Sequence, residues 1–518
     1  MVLPTSIALQ AELAGVGGGW TDLSADEDVL ANIEVQYGIR GGGPLDRIAS
    51  VGTMTWAMKN AATRNSGGVD GYYTPGHADV RSGWDIGIAI RLAITYGGTT
   101  YYKFRGTLVS AEPDSALYGP RRVRCLANDW IDDAAICLVK DTAVQLNKRS
   151  DELITTVVTQ CVGRQPTSSS YEVGQSTFAF AMDNLRDEKT PALRALSDIV
   201  LAEAGYLYMK GDTTAGGKLK YEDRHFRPLA SSVATFNETM FNIMAIRSRD
   251  DIINHVIAMV HPRKVDAAAT TVLYELTPTE TVPSLVPGET IILTVFFREA
   301  TGRFVRVGGD SIVTPVASTD YIGNSAADGS GSDLTASLGL VFASTSNAAS
   351  LAFTNNHASA TVYITTLQVR GKAVQDRFEI GVEAANEASE TAVGERDLMY
   401  DMIFEDRSAI AKGMADWIVN QYSTLRMVIN EMVLKGNHTD ALMTQVLARE
   451  PGDKITLTGS LIGISAVAYF INGVRLSIRP GKLIDCSWVL APADQQLSWI
   501  LEDPVAGLLE LTTTLGFA

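Results

Sequence analysis

The residues able to do chemistry are scattered. Six histidines are spread along 518 residues without clustering. His255 and His261 share a strand face only if the chain between them stays extended, and their spacing suits no helical metal pair, so no metal site is expected there. Glu222-Asp223-Arg224-His225 is the densest titratable run and could suggest acid–base chemistry. Placed after Lys218-Leu219-Lys220-Tyr221, it reads better as a strand end with a local ion-pair network. Asp129, Asp132 and Asp133 follow a strand-like stretch and look like a turn or helix start. Glycoside hydrolysis needs two carboxylates across a cleft, and the sequence pairs no two of these acids. Asp328 to Asp333 faintly resembles a calcium loop but lacks the spaced acids and the closing Glu. No GxSxG, Walker or HExxH pattern occurs. Gly41-Gly42-Gly43 is followed by Pro44 and lacks the third-glycine spacing of a dinucleotide fingerprint. Cys125, Cys137, Cys161 and Cys486 form no CxxC pair and read as reduced thiols. The sequence nominates no catalytic, cofactor-binding or metal-ligating residue, and an enzyme is not expected.

The elements around these residues are mostly strands. From 84 to 110, Ile86, Ile88, Ile90, Leu92, Ile94 and Tyr96 alternate with Gly87, Ala89, Arg91, Ala93 and Thr95. Unbroken period two means a long strand with one buried face. Gly97 and Gly98 turn the chain, and Tyr102, Phe104 and Leu108 return the same face. A two-residue loop would set even positions against odd ones. The parity therefore predicts a three-residue loop, Gly97 to Thr99, with Leu92 opposite Phe104 and Ile94 opposite Tyr102.

The length suits several domains. The hydrophobic content of 46% and charged content of 20% suit globular ones. A formal charge of −16 argues against non-specific duplex binding, which rests on clustered Lys and Arg. No apolar run approaches the ~18 residues of a membrane helix. The longest, Leu461 to Ile471, contains Gly463 and Ser465. No Lys or Arg precedes the first apolar residues, so no secretory signal is expected and folding in a cytoplasm is.

The fold class expected is mainly β with α+β parts: two tube-like β-barrel domains, a small α/β domain and an inserted β-sandwich. Residues 1–20 read as a loose arm. A first tube-like β domain covers 20–145, with strands at Ile33-Val35-Tyr37, Met54-Trp56-Met58 and Val123-Cys125-Ala127. The small α/β domain covers 150–230. Leu153, Ile154, Val157, Val158 and Cys161 have helical spacing, and a second helix capped by Thr190 runs from Pro191 to Gly205. The second tube-like β domain takes 240–267 and 373–518. In it, Asp406 caps a helix over 406–422 and strands run to Leu497–Leu501. That helix's stripe, Ile410, Met414, Trp417 and Ile418, predicts a buried Trp417. Residues 268–372, rich in Ser, Thr, Ala, Gly and Asn between short strands, are the inserted sandwich, and the acidic stretch 381–397 reads as a linker or exposed loop.

The order of these pieces resembles the tail-hub (baseplate hub, or minor tail) proteins of long-tailed bacteriophages. The resemblance is carried by Ile48 to Asn60, Lys103-Phe104-Arg105-Gly106-Thr107-Leu108, Val123 to Trp130, Ala192 to Gly205 with Leu207-Tyr208, Leu219 to His225, and Thr366 to Lys372. It covers most of the chain outside about 268–360. It implies a structural virion protein at the tail tip, synthesised in the host bacterial cytoplasm. In such hubs two tube-like β domains per chain make a pseudo-sixfold ring from a homotrimer. The partners implied are the distal tail ring protein, the tail tube, and tip or fibre proteins, with DNA only as passing cargo. No lysozyme or peptidase domain is evident, so wall degradation is not carried over. A distal tail ring protein, or a carbohydrate-binding adhesin acting through 268–372, are the alternatives.

Overall fold

The computed structural model describes residues 1–114, 121–139, 142–161, 165–182, 190–278, 280–298, 307–376, 379–424 and 428–493. The strand expected at Leu497–Leu501 lies outside them. The class is mainly β with α+β parts.

Seven N-terminal strands share one sheet: β1 (Ser6–Ala11), β2 (Thr21–Asp22), β3 (Val29–Gly38), β4 (Thr53–Lys59), β5 (Ala89–Tyr96), β6 (Thr99–Pro113) and β7 (Arg122–Asn128). Their order is β3-β4-β7-β6-β5-β1-β2. On the other side of β3 the same sheet continues through Ile464–Arg479, Leu483–Pro492, Val428–Lys435 and Phe241–Ile246. Lys454–Gly459 branches off Ile464–Arg479, and Ala234–Asn237 pairs parallel to Lys454–Gly459. The two β-rich ends of the chain meet where Ile33 to Gly38 pair with Ile478 to Gly473. One apolar core serves both, from Leu9, Met54, Trp56 and Leu92 to Ile455, Val474 and Trp488. The helix Asp440–Ala448 gives Leu442, Met443, Val446 and Leu447 to that core and touches β6 and Val428–Lys435.

Residues 6–11 are not a loose arm: β1 pairs along its length with β5, because Ile7, Leu9 and Ala11 continue a period-two pattern that suits an existing edge. β5 begins at Ala89, after Gly87 at φ +94°. The hairpin register differs too. Leu92 does oppose Phe104, but the turn is two residues, Gly97 and Gly98 at φ +57° and +81°, and Ile94 opposes Tyr101. A turn with positive φ at both central residues matches strand twist. The parity mismatch is absorbed inside β6, where a bulge leaves Lys103 as the extra residue.

A second core joins α1 (Trp130–Ile136), α2 (Ser150–Gln160) and α3 (Ala192–Glu203) to a small sheet of Ser168–Tyr171, Lys218–Glu222 and Tyr206–Lys210. Thr190 does not cap α3. It sits with Pro191 in a short strand against Leu138–Val139, and the left-handed residue at the far end is Ala204. A third core fills the two sheets built from strands between 263 and 376.

The fourth core corrects two expectations. Residues 380–402 are not a loop: Ile380–Ala385 and Asp397–Met402 flank His255–Val260 in a three-stranded sheet, with a helix, Glu387–Val393, between them. The helix Ser408–Tyr422 packs on this sheet through Ile410, Met414 and Ile418. Asp406 does not cap it: Arg407 stands at the N-cap without a side-chain cap bond, and the residues before the helix are held by Glu405. The buried Glu405 carboxylate accepts from the Asp406 and Arg407 amides and from the Arg407 guanidinium. Trp417 is only half-buried, at the edge of the stripe, with Arg47 5.3 Å above its ring and Tyr422 edge-on at 6.4 Å.

Candidate functional site: a buried charged seam

The densest polar chemistry lies where these cores adjoin. The bulge turns Lys103 inward until it is 1% exposed. Its ammonium donates to the Leu447 and Arg449 carbonyls, each at 3.1 Å, and to the Glu450 carboxylate. The acceptors lie at the C-terminal end of helix 440–448, where carbonyls lack helical partners and the dipole is negative, so a cation is favoured. Glu450 also accepts from the Tyr37 hydroxyl at 2.8 Å and the Gly211 amide at 2.9 Å. Burial, then the Glu450 charge, pushes the Tyr37 hydroxyl well above its ordinary range, so it stays a donor.

A second pair is sealed beside it. Arg227, 1% exposed, donates Nε to Glu222 at 2.8 Å and Nη1 to Asn472 Oδ1 at 2.9 Å. Its guanidinium lies 3.4 Å from the Tyr206 ring centre and 5.1 Å from that of Phe470. Glu222 also accepts from the Tyr208 hydroxyl, and Asn472 donates to the Gly41 carbonyl at 2.6 Å. Gly452, at φ +92°, passes so close that a Cβ there would stand 1.9 Å from the Tyr208 hydroxyl. Arg47 completes the seam, donating to the Pro44 carbonyl at 2.7 Å and the Ala204 carbonyl at 2.5 Å. Buried Glu203 accepts from the Ser176 amide at 2.8 Å and the Gln175 amide at 3.1 Å, with Arg224 at 3.5 Å.

Acid–base catalysis needs a group that a substrate can reach. These charges are closed off by each other and by aromatic faces, and what they do chemically is fix one element against another. Truncating one partner would strand the other in low dielectric.

The run Glu222 to His225 is thus a strand end with an ion-pair network. Glu222 holds Arg227, Asp223 accepts from the His225 and Phe226 amides, and Arg224 reaches Ser176 and Glu203. Asp129 caps α1 by accepting from the Ile131 amide at 3.1 Å, and burial raises its carboxyl to about 7. In the stretch 328–333, Asp328 accepts from Ser330 and Asp333 from the Thr335 amide, as turn-closing contacts. His255 and His261 each reach the neighbouring strand, His255 to Asp397 at 2.5 Å and His261 to Asp401. His255, Glu395 and Asp397 place possible ligand atoms within 4.8 Å of one another. The four cysteines are free thiols, Cys137 half-buried and the others buried. The sequence assigns no polar contact to Lys103, Glu450, Arg47 or Arg227. The available signal was the parity conflict at Tyr102-Lys103-Phe104, which calls for an extra residue in the strand or the loop. No helix among the described residues is long and apolar enough to cross a membrane.

No protein-family model matches the chain, and no curated protein does. Among solved structures it is similar to a tail protein from Neisseria meningitidis, at 9% identity and TM-score 0.48, over 94% of this chain and 96% of that one. It is similar to the 43 kDa tail protein of prophage MuSo2 from Shewanella oneidensis, at 10% identity and TM-score 0.47, over 94% and 96%. A type VI secretion component of Escherichia coli, described as resembling bacteriophage tail proteins, aligns at 8% identity and TM-score 0.32, over 90% and 73%.

Proposed function

We propose that this chain is a structural protein of a phage-type tail, a hub at the tail tip whose ring continues the tail tube and lets DNA pass. One observation carries the reading: the two β-rich ends of the chain are joined side by side in a single sheet over one core. A protomer built this way presents two wall segments in a fixed relation, and the buried seam at Lys103 and Arg227 keeps that relation rigid. Three such protomers supply six wall segments, which is what a sixfold tube requires at its end. The path of the sheet ends in Phe241–Ile246 on one side and the two-residue β2 on the other, and cyclic assembly covers such edges. The sequence resemblance points the same way.

The partners of this reading are a distal tail ring protein, the tube, and tip or fibre proteins. The strands between 263 and 376, with a core of their own, form an outward insertion. The net charge of −16 suits a lumen that is neutral to acidic, since basic walls would retain passing phosphates.

Native mass measurement and class averages of the full chain, free and from a virion, test the proposal. A homotrimer with a central pore is the expected result. A stable hexamer would indicate a distal ring protein instead, and a virion form without rotational symmetry would overturn the ring. One observation favours a binding role for the insertion: Ile292 and Val341, each paired to Ala352 on one uncharged sheet face, are 69% and 74% exposed. Glycan-array binding that is lost on deleting 268–372 would support the adhesin reading.

A further inference from the structure

Arg91 on β5 and Arg105 on β6 stand directly opposite each other. Like charges at paired positions of neighbouring strands destabilise a sheet. Both guanidinium groups stack on one indole, that of Trp20, with ring-centre distances of 4.1 Å for Arg91 and 4.9 Å for Arg105. Arg91 also lies 4.6 Å from the Tyr102 ring centre and donates Nε to Gln10 Oε1 at 2.6 Å.

Among the described residues neither arginine forms an ion pair with a carboxylate, and Arg105 donates no hydrogen bond. The acids that face them accept their hydrogen bonds from backbone amides. Glu12 accepts from the Gly17 amide at 2.7 Å, and Asp212 from the amides of Thr214, Ala215 and Gly216. Burial depresses both guanidinium pKa values and Arg105 lowers that of Arg91 further, while the charge of Glu12 acts on both, and that of Asp212 on Arg105, in the opposite direction. Ring stacking offsets part of the repulsion, yet most of the N–H donors of this pair remain unused.

Arg105 also borders a cavity of about 590 Å³ between β5, β6, α1 and the 165–167 segment. Ile86, Ile88, Trp130 and Met209 give it apolar walls, while Glu12 and Asp133 add negative charge.

We propose that Arg91 and Arg105, held on Trp20, form an oxyanion-binding site beside this cavity, which Arg105 borders, taking one carboxylate or phosphate group. Two guanidinium groups on a single rung, stacked on one ring, offer the N–H donors that such a group accepts. The nearby acids repel a long polyanion, so duplex DNA is disfavoured. The apolar walls favour an anionic head on a compact, partly apolar body. Free phosphate and an acidic side chain of a partner protein share this chemistry.

Calorimetric titration of the full chain with inorganic phosphate, and separately with N-acetyl-glutamate amide, distinguishes the two sources, with chloride at matched ionic strength as the control. Saturable binding of at least one ligand is expected. Arg91→Gln and Arg105→Gln should each weaken it at least about tenfold, the equivalent of one lost charge-assisted contact. Arg105→Glu places a carboxylate directly opposite Arg91. It should abolish ligand binding while raising the unfolding midpoint in ligand-free buffer. Responses no larger than those of chloride, binding unchanged in the Gln variants, or a lower midpoint for a folded Arg105→Glu protein would each overturn the proposal.

Discussion

Replacing Lys103 by Met removes a charge from the middle of the fold while keeping most of the side-chain volume. The ammonium holds Glu450 and two carbonyls at the end of helix 440–448. Breaking a buried ion pair from one side costs about 3–5 kcal/mol. Lys103→Met belongs at the lower end of that range, because Glu450 keeps the Tyr37 hydroxyl and the Gly211 amide. Glu450→Gln belongs at the upper end, since it leaves an ammonium buried with only carbonyls. The double variant leaves neither charge and should cost about 2 kcal/mol less than the sum of the singles, as expected for directly coupled groups. A chain with several cores need not unfold in one step, so hydrogen exchange of amides in β6 and helix 440–448 is the fitting assay. Additive effects below about 1 kcal/mol each would match a solvent-screened pair and refute the seam as a structural lock.

Trp417→Ala should cost about 1–2 kcal/mol, below the range for a fully buried aromatic, whereas Met414→Ala on the buried stripe should cost about 2–5 kcal/mol; thermal unfolding of the two variants gives the order. Gly452→Ala drives a methyl group into Tyr208 and Glu222 from a left-handed backbone and should cost about 3 kcal/mol or more, read as a lower yield of folded protein and a lower midpoint. The hydrogen bond to Asp397 raises the His255 pKa, so the protonated form is favoured in the fold. Its contribution to stability is complete below an unfolded value of about 6.5 and is lost as pH rises through the higher folded value. In an NMR titration Asp397→Asn should move His255 downward, and an unchanged curve would show that the pairing is not made in solution. Deleting 268–372 across a short Gly-Ser bridge should leave a soluble protein that still assembles, because the strands removed have their own core; circular dichroism and native mass of the product check this.

The sequence by itself determined the local elements, because periodicity is a property of neighbours in the chain. Ile33-Val35-Tyr37, Met54-Trp56-Met58 and Val123-Cys125-Ala127 are strands with those side chains buried, and Leu153, Ile154, Val157 and Val158 line the inner face of a helix. It also identified Glu222 to His225 as a strand end with a local ion-pair network. Partnership over distance was decided only by the tertiary structure. Lys103 finds its carboxylate 347 residues away, and no pattern within β6 indicates which acid that is. Parity showed that the hairpin needed one extra residue, but sheet twist favoured the two-residue turn and moved the extra residue into the strand, where a lysine turned inward. The helix at 408–422 was legible from Ile410, Met414 and Ile418, while the sheet it covers was not. His255–Val260 lies between two strands that follow residue 376, and the acids of the intervening helix and loop, Glu387, Glu390 and Glu395, with Glu383 and Asp397 on the strands, give 381–397 the composition of a loop. Composition averages a strand with the helix and loop beside it, whereas pairing acts on the strand alone, and only the assembled chain shows which residues pair.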